Sequence, residues 1–476
     1  MNRLNQKLLR AWVGFGPRFL PFADAATPDL PLSRLLRLSL FQVSVGMAVV
    51  LLIGTLNRVM IVELDVPASL VATMISLPLI FAPFRALIGF RSDTHRSALG
   101  WKRVPFIWQG TLVQFGGLAI MPFALLVLSG GGNAAHLPVW IGRAGAGLAF
   151  LLVGAGLHTT QTVGLALATD LAPVESQPQV VGLMYVMLLI GMMASALLFG
   201  TMLANFTPMR LVQVIQGSAV ATMALNGVAL WKQEARRPSR SGAAREPPAT
   251  FRDAWESFSQ GGQALRRLAA VGLGTMAFSM EDVLLEPYGG QILHLTVGST
   301  TKLTATLALG GLLGFSLASR ILAHGFDPFR MASYGALAGV PAFVAVILAG
   351  PLSYPVLFAF GTLLIGFAAG IFGHGTLTAT MNLAPEHQRG LALGAWGAVQ
   401  ASAAGIAIAL GGIIRDVVGA LAADNRFGSA LSGPSAGYAA VYCLEVALLL
   451  VTLVAMAPLI RATVGVMRVG ETRSTG

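Results

Sequence analysis

Long runs of hydrophobic residues with few polar interruptions dominate the sequence. Each run has about 20 residues, the length that a helix needs to cross a hydrocarbon core roughly 30 Å thick. No segment shows the alternation typical of a membrane β-strand, and helices satisfy their own backbone hydrogen bonds in lipid. The pattern predicts an all-α membrane protein. Its twelve predicted transmembrane helices lie at residues 38–62, 70–90, 104–128, 144–166, 180–203, 211–230, 268–293, 303–322, 331–349, 356–378, 391–413 and 438–459.

The spans form two groups of six that resemble each other. A polar pair recurs at equivalent places, Asn57-Arg58 in the first span and Glu281-Asp282 in the seventh. Two related six-helix halves are typical of the major facilitator superfamily. The segment between them has eight Lys and Arg and two adjacent prolines, a composition that cannot bury a core. The predicted domains are an N-terminal arm at 1–36, a bundle at 37–231, a connector at 232–267, a second bundle at 268–460 and a tail at 461–476. The basic and apolar residues of the arm suit either an amphipathic segment on a lipid surface or docking of a partner.

Composition and charge agree with this organisation. Of all residues, 55% are hydrophobic and 11% are charged, whereas a soluble domain has about 25% charged residues, so a soluble globular protein is excluded. Most of the 31 Lys and Arg lie in the arm, the connector, the tail and the loops on the same side. The positive-inside rule therefore predicts that both termini are cytoplasmic. The same rule explains the net charge of +11 without nucleic-acid binding.

A few polar and charged side chains interrupt the spans, and such residues normally face a bundle interior or a cavity. The predicted cavity cluster comprises Asn57, Arg58, Arg85, Glu281, Asp282 and Glu286. Because spans 1 and 7 are equivalent in the repeat, Arg58 is predicted to approach Glu281 or Asp282. The sequence leaves three roles open for the cluster: a permanent clamp between helices, a ligand-binding lining and a proton-coupling group.

Two histidines in apolar spans each follow a glycine by four residues: His158 follows Gly154, and His374 follows Gly370. Residues four apart share a helix face, so a flat macrocycle is predicted to approach the backbone at the glycine while the imidazole binds its central ion. Close helix packing through small residues explains the same spacing. Pigment ligation through His158 or His374 and simple helix packing therefore both remain open.

Other classes of site lack support in the sequence. No phosphate-binding loop or HExxH motif occurs, and the single cysteine, Cys443, can form neither an internal disulfide nor a thiolate metal site. Nothing supplies a convincing nucleophile with its base. We therefore expect no enzyme, no bound nucleotide and no metal site apart from the magnesium of a bound pigment.

Several strings resemble one known family: RLSLFQ at 37–42, GTLNRVMIVEL at 54–64, the loop at 90–103, and FSMEDVLLEPYGG at 278–290. They are similar to the bacteriochlorophyll delivery family of the major facilitator superfamily, the PucC and LhaA proteins of purple phototrophic bacteria. The resemblance runs from about residue 37 to the end of span 12. The extended N-terminal arm makes the chain most like LhaA, which serves the core light-harvesting ring, rather than PucC, which serves the peripheral antenna.

The resemblance implies an assembly factor that brings bacteriochlorophyll, as cargo, to the light-harvesting α and β polypeptides and promotes assembly of the antenna ring. It implies the bacterial inner (intracytoplasmic) membrane. The implied partners are these polypeptides, core antenna and reaction-centre assembly intermediates, bacteriochlorophyll synthase and the membrane insertion machinery. The alternative on the same fold is a secondary transporter of a tetrapyrrole or another amphipathic solute. The family assigns no ligand site, so the candidate residues rest on the physical reasoning alone.

Overall fold

The computed structural model describes residues 30–80, 101–131, 136–173, 176–234, 264–383, 389–424 and 433–474, with a few isolated positions between them. All regular secondary structure in these ranges is helical. Eleven of the described helices are long and apolar enough to cross a membrane, and a shorter apolar helix follows the first of them. The prediction of an all-α, multi-pass membrane protein is confirmed.

In the first half, the described residues form six helices. They are α1 (Leu32–Glu63), α2 (Ala68–Ile80), α3 (Val104–Leu128), α4 (Val139–Leu171), α5 (Gln177–Met202) and α6 (Pro208–Leu230). We call the membrane side on which α1 begins the near side, and the side on which it ends the far side. Helix α1 begins at Leu32, inside the predicted arm, whereas residues 1–26 of that arm lie outside the described residues.

In the second half, the described residues also form six helices, of which the first is broken. Helix α7 consists of Ala264–Ala277, a 3₁₀ turn at Glu281–Val283 and a final segment at Leu285–Gln291. The remaining helices are α8 (Val297–Ala323), α9 (Pro328–Ala349), α10 (Pro355–Leu383), α11 (Arg389–Ala423) and α12 (Ala436–Ser474). Helix α7 starts before the predicted boundary, and α12 continues through most of the predicted tail.

Side-chain caps fix the starts of several helices. Asp327 precedes Pro328, and its Oδ1 accepts hydrogen bonds from the backbone N–H groups of Phe329 at 2.7 Å and Arg330 at 3.1 Å. Thr296 accepts from the N–H of Ser299 at the start of α8. Such caps satisfy donors that a helix leaves without partners in its first turn, and proline fits there because it has no N–H. The local sequence thus fixes where these spans begin.

Glycine allows neighbouring helices to approach closely within each half. A Cβ added at Gly370 in α10 would lie 2.5 Å from the carbonyl oxygen of Gly311 and 3.0 Å from the backbone nitrogen of Phe315, both in α8. In the first half, a Cβ at Gly117 in α3 would lie 2.7 Å from the backbone nitrogen of Val153 in α4. Helices in lipid associate through such small-residue contacts, because they gain little hydrophobic free energy from each other.

The two halves meet along α2 with α11 and along α5 with α8. At Gly412 of α11, an added Cβ would lie 2.5 Å from Cβ of Ala72 and 2.7 Å from the carbonyl oxygen of Ala68. At Gly298 of α8, it would lie 2.6 Å from the carbonyl oxygen of Gly200 in α5. These contacts lie toward the far side, where they close the interface between the halves.

The segment just after α6 is packed against the near side of the first half. Glu234 accepts hydrogen bonds from the N–H groups of Lys102, Arg103 and Val104 at 2.7–3.1 Å, which caps α3. Arg34 of α1 donates to Gln233 through Nε, at 3.1 Å, and Nη2, at 2.8 Å. The first residues of the predicted connector are therefore folded, whereas residues 235–263 lie outside the described part of the chain.

Candidate functional site

Helices α1 and α7 are both irregular at the depth where they touch. In α1, the regular α-helical pattern gives way to π-helical turns at Val50–Leu56 and Val59–Glu63. The amide of Asn57, fully buried between these turns, donates to the carbonyl oxygen of Val283 in the break of α7 at 2.9 Å. Irregular helices within a membrane frequently mark functional sites, because their free backbone groups need special partners. The repeat-related pair of helices is thus the centre of the candidate site.

Arg58 has a different partner from the one predicted. Its guanidinium forms an ion pair with Glu63 on the same helix and donates to the carbonyl oxygen of Leu295 at 3.1 Å. A π-helix pairs backbone groups five residues apart, so it brings residues 58 and 63 to one face. Arg58 therefore does not pair with Glu281 or Asp282, and that prediction is wrong.

Glu286 lies where α1, α7 and α8 meet. Its carboxylate accepts a hydrogen bond from the hydroxyl of Thr304, and only 3% of the residue is exposed. A Cβ added at Gly54 would lie 2.8 Å from Glu286 Oε1. Arg58 is near the end of α1 and Glu286 is in the last segment of α7, so both lie toward the far side. The predicted cluster is therefore divided between two places.

Glu281 and Asp282 form the other part of the predicted cluster. They line a cavity of about 270 Å³ between the two halves, whose wall comes from α5, α7, α8, α10 and α11. Most of the lining is apolar, with Tyr185 and Gln400 as polar exceptions. The cavity extends from the break in α7 toward the near side, the direction opposite to the closed interface. Arg85, the sixth predicted member of the cluster, lies outside the described residues.

Sequence reasoning missed Glu445 of α12. This residue is fully buried, and its Oε1 accepts a hydrogen bond from the backbone N–H of Glu281 at 2.7 Å. A signal was present, because Glu445 is the single charged residue in the apolar run at 436–460 and charges within spans normally have a function or a partner.

A far-side network was also missed. Asp416 of α11 accepts from the backbone N–H of Ser69 at the start of α2 at 2.7 Å and pairs with Arg415 at 2.8 Å. Arg415 also donates to Gln291 of α7 at 2.5 Å and to the hydroxyl of Tyr438 of α12 at 3.2 Å. We call these five residues the far-side latch. It connects the first half to three helices of the second.

The two histidine–glycine pairs lie in different surroundings. In α4, the face of Gly154 is filled by Pro78 of α2, and in α10, the face of Gly370 is filled by α8. His374 packs its ring on Phe315, with ring centroids 4.3 Å apart. Both glycines thus serve helix packing here, and the predicted approach of a macrocycle over them is blocked in this structure. Ligation of a pigment through His158 or His374 from another direction stays a prediction.

A second concave surface lies on the outside of the second half. This outer groove has a volume of about 450 Å³ and is lined by apolar and aromatic side chains of α8, α9, α10 and the turn after α8. Tyr334, 56% exposed, stacks on Phe326 at its rim, with ring centroids 6.1 Å apart. The outer groove is lined by Leu317, Ile321, Phe326, Met331, Tyr334, Ala338, Phe367 and Ile371.

The sequence matches the protein family described as PUCC protein over residues 55–464. The chain belongs to the PucC family. A relative named Protein PucC, from Rhodovulum sulfidophilum, is 63% identical over 420 residues, which cover 88% of this chain and 92% of the relative. Another Protein PucC, from Cereibacter sphaeroides, is 57% identical over 468 residues, 98% of this chain and 100% of the relative. The predicted family is confirmed, and the finer resemblance to LhaA stays a prediction.

A more distant relative of this PucC-family chain carries a different name. The Bacteriochlorophyll synthase 44.5 kDa chain of Rhodobacter capsulatus is 29% identical over 398 residues, which cover 82% of this chain and 87% of the relative.

Solved structures establish the fold of the PucC-family chain. An inward-facing, unoccupied bacterial homolog of the human lysosomal transporter Spinster matches with a TM-score of 0.65 at 14% identity, covering 89% of this chain and 95% of that one. An inward-facing bacterial homologue of the iron transporter ferroportin matches with a TM-score of 0.63 at 15% identity, covering 89% and 98%. The fold is of the major facilitator type, as predicted, and at this identity the likeness concerns the fold alone.

Proposed function

We propose that this PucC-family protein is a non-catalytic assembly factor that delivers bacteriochlorophyll to light-harvesting α and β polypeptides. It promotes assembly of the antenna ring, and the core antenna is its main target. Its place is the bacterial inner (intracytoplasmic) membrane, with both termini in the cytoplasm. Kinship with PucC proteins and with a bacteriochlorophyll synthase chain supports the connection with this pigment.

The outer groove is the observation that carries the proposal. Sites for small molecules usually have about 300–1,000 Å³. The internal cavity of about 270 Å³ is below that range, whereas the outer groove of about 450 Å³ is within it. A tetrapyrrole with a long tail is a large ligand, and a groove on the outer surface can hold its ring while the tail remains in lipid. The outer groove therefore suits this cargo better than the cavity.

His374 is the proposed magnesium ligand, because it lies one helical turn along α10 from Ile371, which lines the outer groove. Neutral imidazole is a suitable ligand for this ion. His158 on α4 is the second candidate, in the other half. A pigment held at the outer surface is handed over sideways within lipid, which is how single-span α and β polypeptides can receive it. Bacteriochlorophyll synthase, the insertion machinery and core antenna intermediates complete the proposed set of partners.

The first test expresses the full chain in a bacteriochlorophyll-producing host and separates it by size from antenna polypeptides. We expect stoichiometric pigment with a red-shifted absorption band, and a loss of about tenfold or more in His374→Leu. Losing a group that only supports a metal ligand already weakens metal affinity by roughly 10–100-fold, and losing the ligand itself should weaken it at least as much. His324→Leu is the matched control, because His324 is exposed and its Nδ1 contacts the carbonyl oxygen of Arg320 at 2.7 Å.

Two results would argue against this proposal. Unchanged pigment in both His374→Leu and His158→Leu would remove the ligation role. A colourless protein that also fails to copurify with α and β polypeptides would remove delivery itself. Folding of each variant is checked by its elution as a single monodisperse species.

The alternative function is secondary transport of a tetrapyrrole or another amphipathic solute. One observation favours it: the cavity between the halves is closed on the far side by the latch and the glycine contacts. Alternating access requires such a state. Uptake of a tetrapyrrole into proteoliposomes, driven by an imposed ion gradient, would favour the transporter over the assembly factor.

A further inference from the structure

Three carboxyl groups meet at the break in α7, deep within the helix bundle. Glu281 and Asp282 belong to the 3₁₀ turn of the break, and Glu445 projects from α12 against it. Glu445 accepts hydrogen bonds from the backbone of both Glu281 and Met280. Glu281 is 2% exposed, and Glu445 is fully buried. This acidic cluster holds the irregular part of α7 against α12.

No basic side chain compensates these carboxyl groups in the part of the chain that the structure describes. The two arginines of the neighbouring helices have other partners: Arg58 pairs with Glu63, and Arg415 belongs to the far-side latch. The phenol of Tyr442 interacts with both Glu281 and Glu445, and Tyr288 and Tyr438 lie near Tyr442 in turn. None of these tyrosines supplies a positive charge.

Several polar atoms of the cluster also lack a hydrogen-bond partner among the described residues. They are Oε2 of Glu281, Oε2 of Glu445 and the hydroxyl of Tyr442. All three residues are more than nine-tenths buried. Tyr442 lies one helical turn before Glu445, on the same face of α12. Buried polar atoms without partners are costly, so this arrangement indicates a ligand that donates or accepts here.

A proton is the ligand that the chemistry favours. Burying an unpaired ion costs several kcal/mol even after relaxation, and adjacent carboxylates repel each other. A proton on each glutamate removes the charge and supplies an O–H donor for the free oxygen atoms. A metal ion fits less well, because no three His, Cys, Asp or Glu side chains among the described residues, these carboxyl groups included, are placed so that they could hold one metal ion.

We propose that Glu281 and Glu445 form a proton-binding site that controls hydration of the cavity between the two halves. With protons bound, the pair is neutral and α12 holds the break of α7 through Glu445. When a carboxyl transfers its proton to water, a carboxylate and a hydronium ion result, and the carboxylate requires hydration. Water that enters the cavity lined by Glu281 and Asp282 provides this hydration. The contact between α7 and α12 then loosens. This site is independent of the proposed pigment groove.

Infrared spectroscopy of the full chain in lipid nanodiscs tests proton binding directly. At neutral pH, we expect bands of protonated carboxyl groups that shift in D₂O, with one band lost in Glu445→Gln and another in Glu281→Gln. The matched control is Glu63→Gln, which removes a half-exposed, ion-paired carboxylate and should remove no such band. The proposal is overturned if the wild type shows no protonated carboxyl band, a result that needs no variant to fold.

Cysteine labelling tests the control of the cavity. In a Cys443→Ser background, which has no native cysteine, a maleimide is reacted with Ala369→Cys on the cavity wall and, in a separate protein, with Ser129→Cys on an exposed turn. The ratio of the two rates corrects for ionisation of the thiol. We expect this ratio to rise several-fold with pH in the parent, to stay low in Glu445→Gln and to rise as in the parent in Glu63→Gln.

Two labelling outcomes would overturn the proposal. One is a pH response in Glu445→Gln equal to that of the parent. The other is a ratio that follows Na⁺ or Mg²⁺ at constant pH, because it would show that a metal ion occupies the site. Pigment content is measured in the same preparations, so failure of the proton site and failure of pigment delivery are distinguished.

Discussion

Gly370→Val should destabilise the protein severely, whereas Gly373→Val in the same helix should be tolerated. The added side chain at Gly370 would meet the backbone of α8 at Gly311 and Phe315, and backbone cannot move aside as a flexible side chain can. Overpacking of this kind costs about 1–3 kcal/mol and sometimes more. At Gly373 an added Cβ would have nothing within 4 Å, because this residue lines the cavity. Helix propensity changes equally in both variants and therefore cancels.

The measurement is the apparent melting temperature of the purified full chain in detergent, together with its pigment content. We expect a clear decrease in melting temperature for Gly370→Val alone. If Gly370→Val instead keeps its melting temperature and loses pigment, the glycine faces a ligand rather than α8. That outcome would support the macrocycle approach that the sequence predicts at His374.

Asp416→Ala should open the far side of the protein. The carboxylate of Asp416 accepts the N–H of Ser69 and pairs with Arg415, so its removal leaves both groups without their partner and disconnects α2 from α11. A hydrogen bond to a charged group contributes about 1.5–3 kcal/mol, which is enough to shift an equilibrium between two conformations roughly tenfold or more. We therefore expect a population in which the two halves separate on this side.

Distance measurements between spin labels on the far-side ends of α2 and α11 check this prediction. The expected result is a second, longer distance in Asp416→Ala. Asp424→Ala is the matched control, because Asp424 is an exposed aspartate at the end of the same helix. An unchanged distance distribution in Asp416→Ala would show that glycine contacts such as that of Gly412 with Ala68 and Ala72 hold the interface closed without the latch.

The sequence alone is enough to single out most of the polar and charged residues that form the candidate site. Glu281, Asp282, Glu286, Asn57 and Arg58 all proved to be buried or partly buried at the junction of α1, α7 and their neighbours. Their partners could not be predicted. The sequence places Arg58 opposite the acidic pair through the repeat, but the π-helical turns of α1 bring it to Glu63 instead.

The amino-acid sequence by itself determined the membrane class, the all-helical multi-pass architecture and the family, because hydropathy, span length and family motifs are local properties of a chain. Only the tertiary structure decided which distant groups meet. Glu445 contacts the break of α7, Asp416 contacts the start of α2, and the face of Gly370 packs against α8. The physical reason is that these contacts depend on the rotation and irregularities of helices distant in sequence. Hydropathy sets the length and position of a span, but packing against its neighbours sets its rotation.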